Sequence, residues 1–366
     1  MNLKKTFIRD LSEGGGVEGL FLVTKKETSM SRTGRPYLSL RLRDRTGEVE
    51  ARVWDDAERI GRAFAKDDVV AVKGHAATFR GEIQLNLTDV RAVGREDYSL
   101  RDFLPSSRRD PAEMIAELDA VVEGLKDPHI KGLLKALLAD DDVRRRLMTA
   151  PAAKSMHHAY LGGLIEHILS LCGLARLAAD HYGDVNGDML IAGAVLHDIG
   201  KIYELSYERS FDYTDEGRLI GHITIGVELV DEKLRLLPGF PRETAMQLKH
   251  MILSHHGLLE YGSPKRPKSL EALILSFIDD LDAKVQAFRA AVDSGGADER
   301  WTPYQRIFER YLYKAPAAPS DEREPAETET ARGGKRTAGG APDDTPAEKR
   351  AADPAAVKED KELELF

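Results

Sequence analysis

The chain has 366 residues, of which 42% are hydrophobic and 31% charged, with a formal net charge of −9 and one cysteine, Cys172. A length of this order suggests about two domains, and no segment approaches the ~20 uncharged apolar residues of a membrane helix. A lone cysteine excludes a disulfide framework and fits a reducing, cytoplasmic compartment. The lysines near the N-terminus precede no apolar run with a small-residue cleavage site, so a secretory signal is not expected. The charge is uneven: residues 1–100 carry a net +2 and residues 315–366 a net −5. A small basic excess is a weak pointer to a polyanion, and an ordinary solvated surface is the commoner meaning.

Short Val-, Leu- and aromatic-rich runs predict strands at Val17–Thr24, Tyr37–Arg43, Val49–Trp54, Val69–Gly74 and Glu82–Val90. Asp44-Arg45-Thr46-Gly47 supplies a turn between the second and third. Ala57–Ala65 reads as a short helix after the third strand. Five strands with a helix after the third, within about 80 residues, fit a small OB-type barrel, and an SH3-like barrel competes. Four aromatic residues of this segment, Phe21, Tyr37, Trp54 and Phe79, are interleaved with cations. Single strands are bound in such barrels by stacking bases on aromatic rings while cations follow the backbone. Tyr37 and Phe79, beside Arg35 and Arg80, are the expected stacking residues. Phe21 and Trp54 are expected in the core. Thr28–Pro36 is expected to be a mobile basic flap.

From Asp110 the period becomes helical. Asp110-Pro111 is an N-cap followed by proline at the first helical position. Apolar residues then recur at helical spacing through Leu125. Further helices are expected at Leu133–Leu137, Val143–Leu147, Leu161–Ala179, Asp188–Asp198, Thr224–Leu237, Arg242–Ser254 and Leu270–Val292. The Ala/Pro/Glu/Thr-rich tail lacks the apolar content to offset ordering entropy, so it is expected to be disordered. The expected division is a barrel at 1–98, a helical connector at 99–150, a helical domain at 151–313 and an acidic tail at 314–366.

Nine of the eleven histidines fall between His157 and His256. Imidazole and carboxylate clusters suit divalent metals used in hydrolysis. His197-Asp198 ends a helix that is apolar from Leu190 to Leu196, where an uncompensated charge would be costly. His167 lies on the preceding helix, His222 opens the next, and His255-His256 closes another before Gly257, an expected left-handed cap. Asp279 and Asp282 share one face of the last helix. A hydrogen-bonded buried polar cluster is the competing account of His167, His197, Asp198 and Asp279. Contact with ligands or substrate, short of coordination, competes for His222, His255 and His256. His157 and His158 either line a substrate channel or cap a helix.

The order His167, His197-Asp198, His222, His255-His256, Asp279 resembles the HD phosphohydrolases, with the extra histidines of two-metal members. The strings HHAYLGGLIEH (157–167), LHDIGK (196–201), SHHGLLEYGSP (254–264) and DDLDAK (279–284), behind an OB-type barrel, resemble the YhaM-type 3′–5′ exoribonucleases. The resemblance spans roughly residues 15–313. It implies an OB-type barrel followed by an all-α HD-type metal-dependent phosphohydrolase domain. It also implies hydrolysis of single-stranded RNA, and of single-stranded DNA as a second substrate, from the 3′ end. Asp198 would bridge two divalent ions, manganese first, with iron, cobalt, nickel or magnesium as alternatives. His167, His197 and Asp279 would complete one site; His222, His255 and His256 would serve the other, and a hydroxide held between them would attack phosphorus. Lys201 would add positive charge at the phosphate. Lys265 and Arg266 are candidates for the next phosphate, Tyr261 for a base and His158 for the substrate channel. Two other functions compete: an HD-type hydrolase of nucleotides or dinucleoside polyphosphates, and a non-catalytic nucleic-acid-binding module. The C-terminal Leu363, Leu365 and Phe366 resemble the peptides with which bacterial replication and repair proteins bind the sliding clamp, although Glu362 replaces the usual glutamine and an ordinary frayed terminus is the simpler account.

Overall fold

The computed structural model describes residues 6–154, 158–207, 211–293 and 299–315. His157 and the C-terminal Leu363, Leu365 and Phe366 lie outside the described residues.

Five strands form a closed barrel in the order β1-β2-β3-β5-β4. They are β1 (Gly16–Met30), β2 (Pro36–Asp44), β3 (Gly47–Val53), β4 (Val69–Phe79) and β5 (Glu82–Ala92), with helix α1 (Ala57–Gly61) after β3. All pairings are antiparallel except the parallel β3–β5 pair that closes the barrel. β1 serves two neighbours: Gly16–Leu22 pair with β4 and Leu22–Met30 with β2, across an irregularity at Val23/Lys25. The OB-type barrel expected from the strand count is therefore present.

Leu20-Phe21-Leu22-Val23 is apolar without alternation because both faces are covered. Phe21 and Val23 enter the barrel core with Leu38, Leu40, Val53, Val70 and Leu85. Leu20 and Leu22 point the other way, into a second core containing Phe103, Leu104 and Met114. A strand buried on both sides reads as a continuous apolar run.

Three expectations for the barrel need correction. β1 runs on to Met30, with Thr28, Ser29 and Met30 paired to Leu38, Tyr37 and Pro36. The supposed flap thus shrinks to a turn at 31–35, closed by the Arg35 amide donating to Ser31 Oγ at 3.0 Å. α1 stops at Gly61 and not at Ala65. Trp54 is 49% exposed and outside the core. Strand alternation decides the last point: Ala51 and Val53 face inward, so Arg52 and Trp54 must face out.

The helices are α2 (Pro111–Glu123), α3 (Pro128–Leu138), α4 (Asp141–Leu147), α5 (Gly163–His181), α6 (Gly187–Leu196), α7 (Lys201–Glu204), α8 (Asp215–Leu219), α9 (His222–Arg235), α10 (Arg242–Ser254) and α11 (Leu270–Asp293). The Asp110 carboxylate accepts from the amides of Ala112 and Glu113, the cap expected from the sequence. Asp127 and Asp140 cap α3 and α4 in the same way. α6 is buried from Met189 to Leu196 and packs against α5 and α10. A helix apolar all round belongs in the middle of a core. Cys172 is buried on α5, as packing required. One feature of this half was not expected, a two-residue hairpin of β6 (Leu205–Ser206) and β7 (Asp212–Tyr213). Residues 299–315 carry short bridges of their own, Trp301 with Tyr313 and Gln305 with Arg310. No helix among the described residues is long and apolar enough to cross a membrane.

Candidate metal centre and nucleic-acid face

The centre forms where helix ends converge. His197 and Asp198 follow the last residue of buried α6, and His255 and His256 follow the last residue of α10. His197 Nδ1 donates back to Ala194 O at 3.0 Å and His255 Nδ1 to Ile252 O at 2.8 Å. Each ring thus binds a carbonyl that its own helix end leaves without a partner, which turns Nε2 inward. His222 opens α9 and is brought close because residue 200 has no side chain: a Cβ at Gly200 would lie 2.0 Å from His222 O. Asp279 comes from α11 and His167 from α5.

Besides a hydrogen-bonded group of His158, His167 and Asp282, two clusters result, each with its ligand atoms within 4.8 Å of one another: His167, His197 and Asp279; and Asp198, His222, His255 and His256. Asp198 joins them through its two oxygens. Oδ2 lies 3.3 Å from His197 Nε2. Oδ1 lies 3.5 Å from His222 Nε2 and 3.5 Å from His255 Nε2. These seven are the residues singled out in the sequence as ligands, in the same grouping.

The Nδ1 atoms of all five cluster histidines have partners. His167 Nδ1 lies 2.8 Å from Asp282 Oδ2, His222 Nδ1 3.0 Å from Glu204 Oε1 and His256 Nδ1 2.7 Å from Tyr261 O. Nε2 is therefore the atom each ring offers to the centre, the arrangement that orients metal-binding histidines.

The donor set fits a divalent cation. Asp198 Oδ1, His222 Nε2 and His255 Nε2 are buried, face one another and have no hydrogen-bond partner among the described residues. Buried polar atoms left in that state are rare unless an ion or water completes them. The other cluster shows the same demand for positive charge. Burial pushes His167 down, but Asp279 and Asp282 outweigh it and hold the imidazole up at about 9. With Nδ1 facing Asp282, Nε2 lies 3.2 Å from Asp279 Oδ1 and 3.3 Å from His197 Nε2. Burial, helped by His255 and His222, pushes His256 down to about 2, so its imidazole stays neutral.

Burial alone would raise the Asp198 carboxyl, but Lys201 and His197 hold it well below the usual carboxylate range. Lys201 Nζ lies 2.7 Å from Asp198 Oδ2.

The remaining residues fall in different places. Tyr261 touches the centre through its carbonyl, the acceptor for His256. Lys265 and Arg266 are exposed in the loop before α11. His158 corrects an expectation: it is 2% exposed, and its two ring nitrogens are bonded to Tyr160 and Asp282. Asp282 supports His167 and not Asp279, and it also accepts from Ser170 at 2.6 Å. Glu204 and Ser170 carried no signal in the sequence. They are single polar residues that tertiary packing brings to the histidines.

On the barrel, Tyr37 and Trp54 stack with ring centroids 4.6 Å apart and planes 29° from parallel. Trp54 Nε1 donates to Asn86 Oδ1 at 3.0 Å, and the Arg52 guanidinium lies 5.8 Å from the Tyr37 centroid. The exposed stack is thus one that sequence reading split, assigning Tyr37 to the surface and Trp54 to the core. Phe79 and Arg80 sit at the tip of the β4–β5 hairpin, with the guanidinium 5.4 Å from the Phe79 centroid. They line a groove of about 710 Å³ in which Arg41 and Arg52 are paired with Glu48 and Glu50, and Glu82 and Gln84 complete the wall. Arg35 is exposed beside Trp54 in a neighbouring hollow of about 670 Å³.

Comparison with known proteins points the same way. The HD domain family model matches residues 164–284, and the OB-fold nucleic acid binding domain model matches residues 22–93. The chain is 37% identical over 273 residues to the 3′-5′ exoribonuclease YhaM of Bacillus velezensis, covering 74% of this chain and 86% of that protein. It is 36% identical over 281 residues to the 3′-5′ exoribonuclease YhaM of Bacillus subtilis, covering 76% and 88%. For the 3′-5′ exoribonuclease YhaM of a Geobacillus species the identity is 33% over 302 residues, covering 82% and 92%. Among solved structures, the second OB-fold domain of replication protein A from Methanococcus maripaludis aligns at 18% identity and a TM-score of 0.21, covering 25% of this chain and 95% of that one.

Proposed function

The chain belongs to the YhaM 3′-5′ exoribonuclease family, and from that membership and the geometry of the centre we propose that it shortens single-stranded RNA from the 3′ end by metal-dependent hydrolysis, with single-stranded DNA as a second substrate. The observation that carries the proposal is the division of Asp198 between two ligand clusters, one oxygen facing each. That arrangement suits two divalent ions, with manganese the first choice and iron, cobalt, nickel and magnesium as alternatives. When bound, such ions lower the pKa of a water and neutralise charge developing on the phosphoryl oxygens.

The chain's own residues do the rest. His167, His197 and Asp279 would hold one ion, and His222, His255 and His256 the other, with Asp198 offering an oxygen to each. Lys201, held by Asp198, offers positive charge to a non-bridging phosphate oxygen. Lys265 and Arg266 lie exposed, where they can meet the next phosphate. On the barrel, the Tyr37–Trp54 stack and Phe79 offer faces to unpaired bases, while Arg35, Arg52 and Arg80 follow the backbone. A polymer substrate accounts for these aromatic rings on the barrel surface, which a hydrolase of free nucleotides would not need.

The test is digestion of 5′-labelled single-stranded RNA with Mn²⁺, beside a His197→Ala/Asp198→Ala variant and a DNA of the same sequence. The expected result is a ladder shortening from the 3′ end with wild type and intact RNA with the variant. Intact RNA under conditions where wild type hydrolyses free nucleotides would overturn the proposal.

A further inference from the structure

Behind the two clusters lies a buried polar chain that the proposed chemistry does not use. We propose that His158 is a positioning residue: acting through Asp282, it fixes the tautomer and ring plane of His167 and so sets how tightly the His167–His197–Asp279 cluster holds its cation. This rests on the reading that this cluster is one of two divalent sites.

The direction of the hydrogen bonds carries the argument. Asp282 Oδ2 lies 3.1 Å from His158 Nε2 and 2.8 Å from His167 Nδ1, and Oδ1 accepts the Ser170 hydroxyl at 2.6 Å. An ionised carboxylate only accepts, so both imidazole nitrogens must be donors. On its other side His158 Nδ1 lies 2.7 Å from the Tyr160 hydroxyl. Asp282 therefore takes one hydrogen bond from His158 and one from His167 on the same oxygen. His167 cannot change tautomer without losing its Asp282 bond. Its Nε2 is thereby aimed at Asp279 and His197.

The backbone is built around this placement. His158 has φ of +50°, in the left-handed region that side chains other than glycine rarely adopt. It is held there by its own carbonyl, which accepts from the amides of Ala152 at 3.2 Å and Tyr160 at 2.8 Å. The turn closes on residue 163, where a Cβ would lie 2.0 Å from that same oxygen, so glycine is required. The side chain is buried and cannot reach an RNA strand. A strained residue locked in by its surroundings and turned toward the centre is what a positioning role calls for.

The experiment titrates the full-length metal-free protein with Mn²⁺ alone, following affinity and stoichiometry, for wild type, His158→Ala, His158→Gln and Tyr160→Phe. Losing an outer partner of a ligand weakens metal binding by about 10- to 100-fold. The expected result is that loss at one of two sites in His158→Ala, with the other site unchanged, and partial recovery in His158→Gln, whose amide can still donate to Asp282. Tyr160→Phe, which removes one hydroxyl and should fold normally, is expected to weaken the same site by a smaller factor. In RNA trimming at saturating substrate, kcat should fall with KM unchanged. Unaltered Mn²⁺ affinity at both sites in folded His158→Ala would overturn the proposal. So would equal weakening of both sites, which is the mark of a general structural role. Should His158→Ala not fold, unaltered affinity in Tyr160→Phe overturns it. The titration uses no RNA, so a wild type that binds two ions yet leaves RNA intact would count against the exonuclease reading and not against the role of His158.

Discussion

Lys201 Nζ lies 2.7 Å from Asp198 Oδ2, the oxygen that also faces His197. Burial opposes both charges, but each favours the other: Lys201 is raised despite burial, and Asp198 is held low. The ammonium therefore compensates the carboxylate beside the place a cation would take. In Lys201→Met, Asp198 keeps only histidines around it. Breaking a buried pair from one side costs about 3–5 kcal/mol. Saturating Mn²⁺ supplies the missing positive charge, so the variant should melt well below wild type without metal and recover most of the difference with it. RNA trimming should stay reduced by about 10²-fold, the cost of losing one preorganised electrostatic group. Melting curves with and without Mn²⁺ check this; a deficit that Mn²⁺ leaves undiminished would assign Lys201 to packing.

Glu204 is the matching partner on the other side. Its Oε1 accepts from both the amide and Nδ1 of His222, at 2.9 and 3.0 Å. Burial would raise this carboxyl, but His222 holds it below its ordinary range. Glu204→Ala should weaken Mn²⁺ binding at the Asp198–His222–His255–His256 cluster by about 10- to 100-fold. Glu204→Gln keeps an acceptor oxygen and should lose less. Equal affinities in all three proteins would remove Glu204 from the centre.

Gly200 decides whether α9 can approach at all. Its missing Cβ leaves room for His222 O, and the Gly226 amide is only 2.8 Å from the same point. Both neighbours are backbone and cannot swing aside. Gly200→Ala should cost about 1–3 kcal/mol or more through overpacking and move His222 away from Asp198. The expected readouts are a lower denaturant midpoint and weaker metal binding together. A variant with unchanged affinity would show that His222 follows the shift or is not needed.

The centre was legible because its chemistry is local. His197-Asp198 and His255-His256 are adjacent pairs at helix ends, and rare residue types at the ends of apolar runs stand out. The outer partners were not legible because sequence distance hides them: Asp282 meets His167 across 115 residues, and Glu204 is one acidic residue among many. Ala194, Ile252 and Tyr261 contribute carbonyls, which carry no sequence signal. His158 shows the opposite failure, since a histidine in a histidine-rich string was assigned to substrate while its φ of +50° turns it inward. Most helix positions followed from apolar spacing and aspartate caps. Strand lengths did not: Lys25–Met30 is polar on both faces, and only pairing with β2 makes it a strand. Trp54 was legible in principle, since the alternation of Val49, Ala51 and Val53 places it outside.

The Tyr37–Trp54 stack makes a graded prediction about RNA. Stacking a base on an aromatic ring contributes about 1–3 kcal/mol, which corresponds to roughly 5- to 150-fold in affinity. Trp54→Ala removes one ring and frees its neighbour. For an oligonucleotide long enough to span barrel and centre, KM should rise by that factor with kcat unchanged, because the ring binds the ground and transition states alike. A dinucleotide should be cleaved as by wild type. Trp54→Phe keeps a ring and should recover most of the affinity. A fall in kcat for both substrates would place Trp54 in the chemistry or the fold instead.

Asp140 ties helix α4 to α9 and gives the fold an acid-sensitive joint. Its Oδ1 accepts the amides of Asp142 at 2.9 Å and Val143 at 3.3 Å, and its Oδ2 accepts Lys233 Nζ at 2.7 Å. The Lys233 bond, with the capped amides, holds this carboxyl below its ordinary range. Folding therefore favours the ionised form over the unfolded chain, where the pKa is about 3.9. The resulting stability is fully present above about pH 5 and is lost as pH falls through 4 toward the folded value. Asp140→Ala at pH 7 loses the cap, about 1 kcal/mol, and leaves buried Lys233 with Glu232 alone, for a total of about 1–3 kcal/mol. Asp140→Asn keeps a capping oxygen and should fall between the two. Urea unfolding at pH 7, 5 and 3.5 should show the gap between wild type and Asp140→Ala narrowing only at the lowest pH, because there the unfolded chain's Asp140 takes up a proton that the folded carboxyl, held lower by Lys233, does not. A gap constant across all three would mean that Asp140 acts as a neutral cap, with its charge contributing nothing.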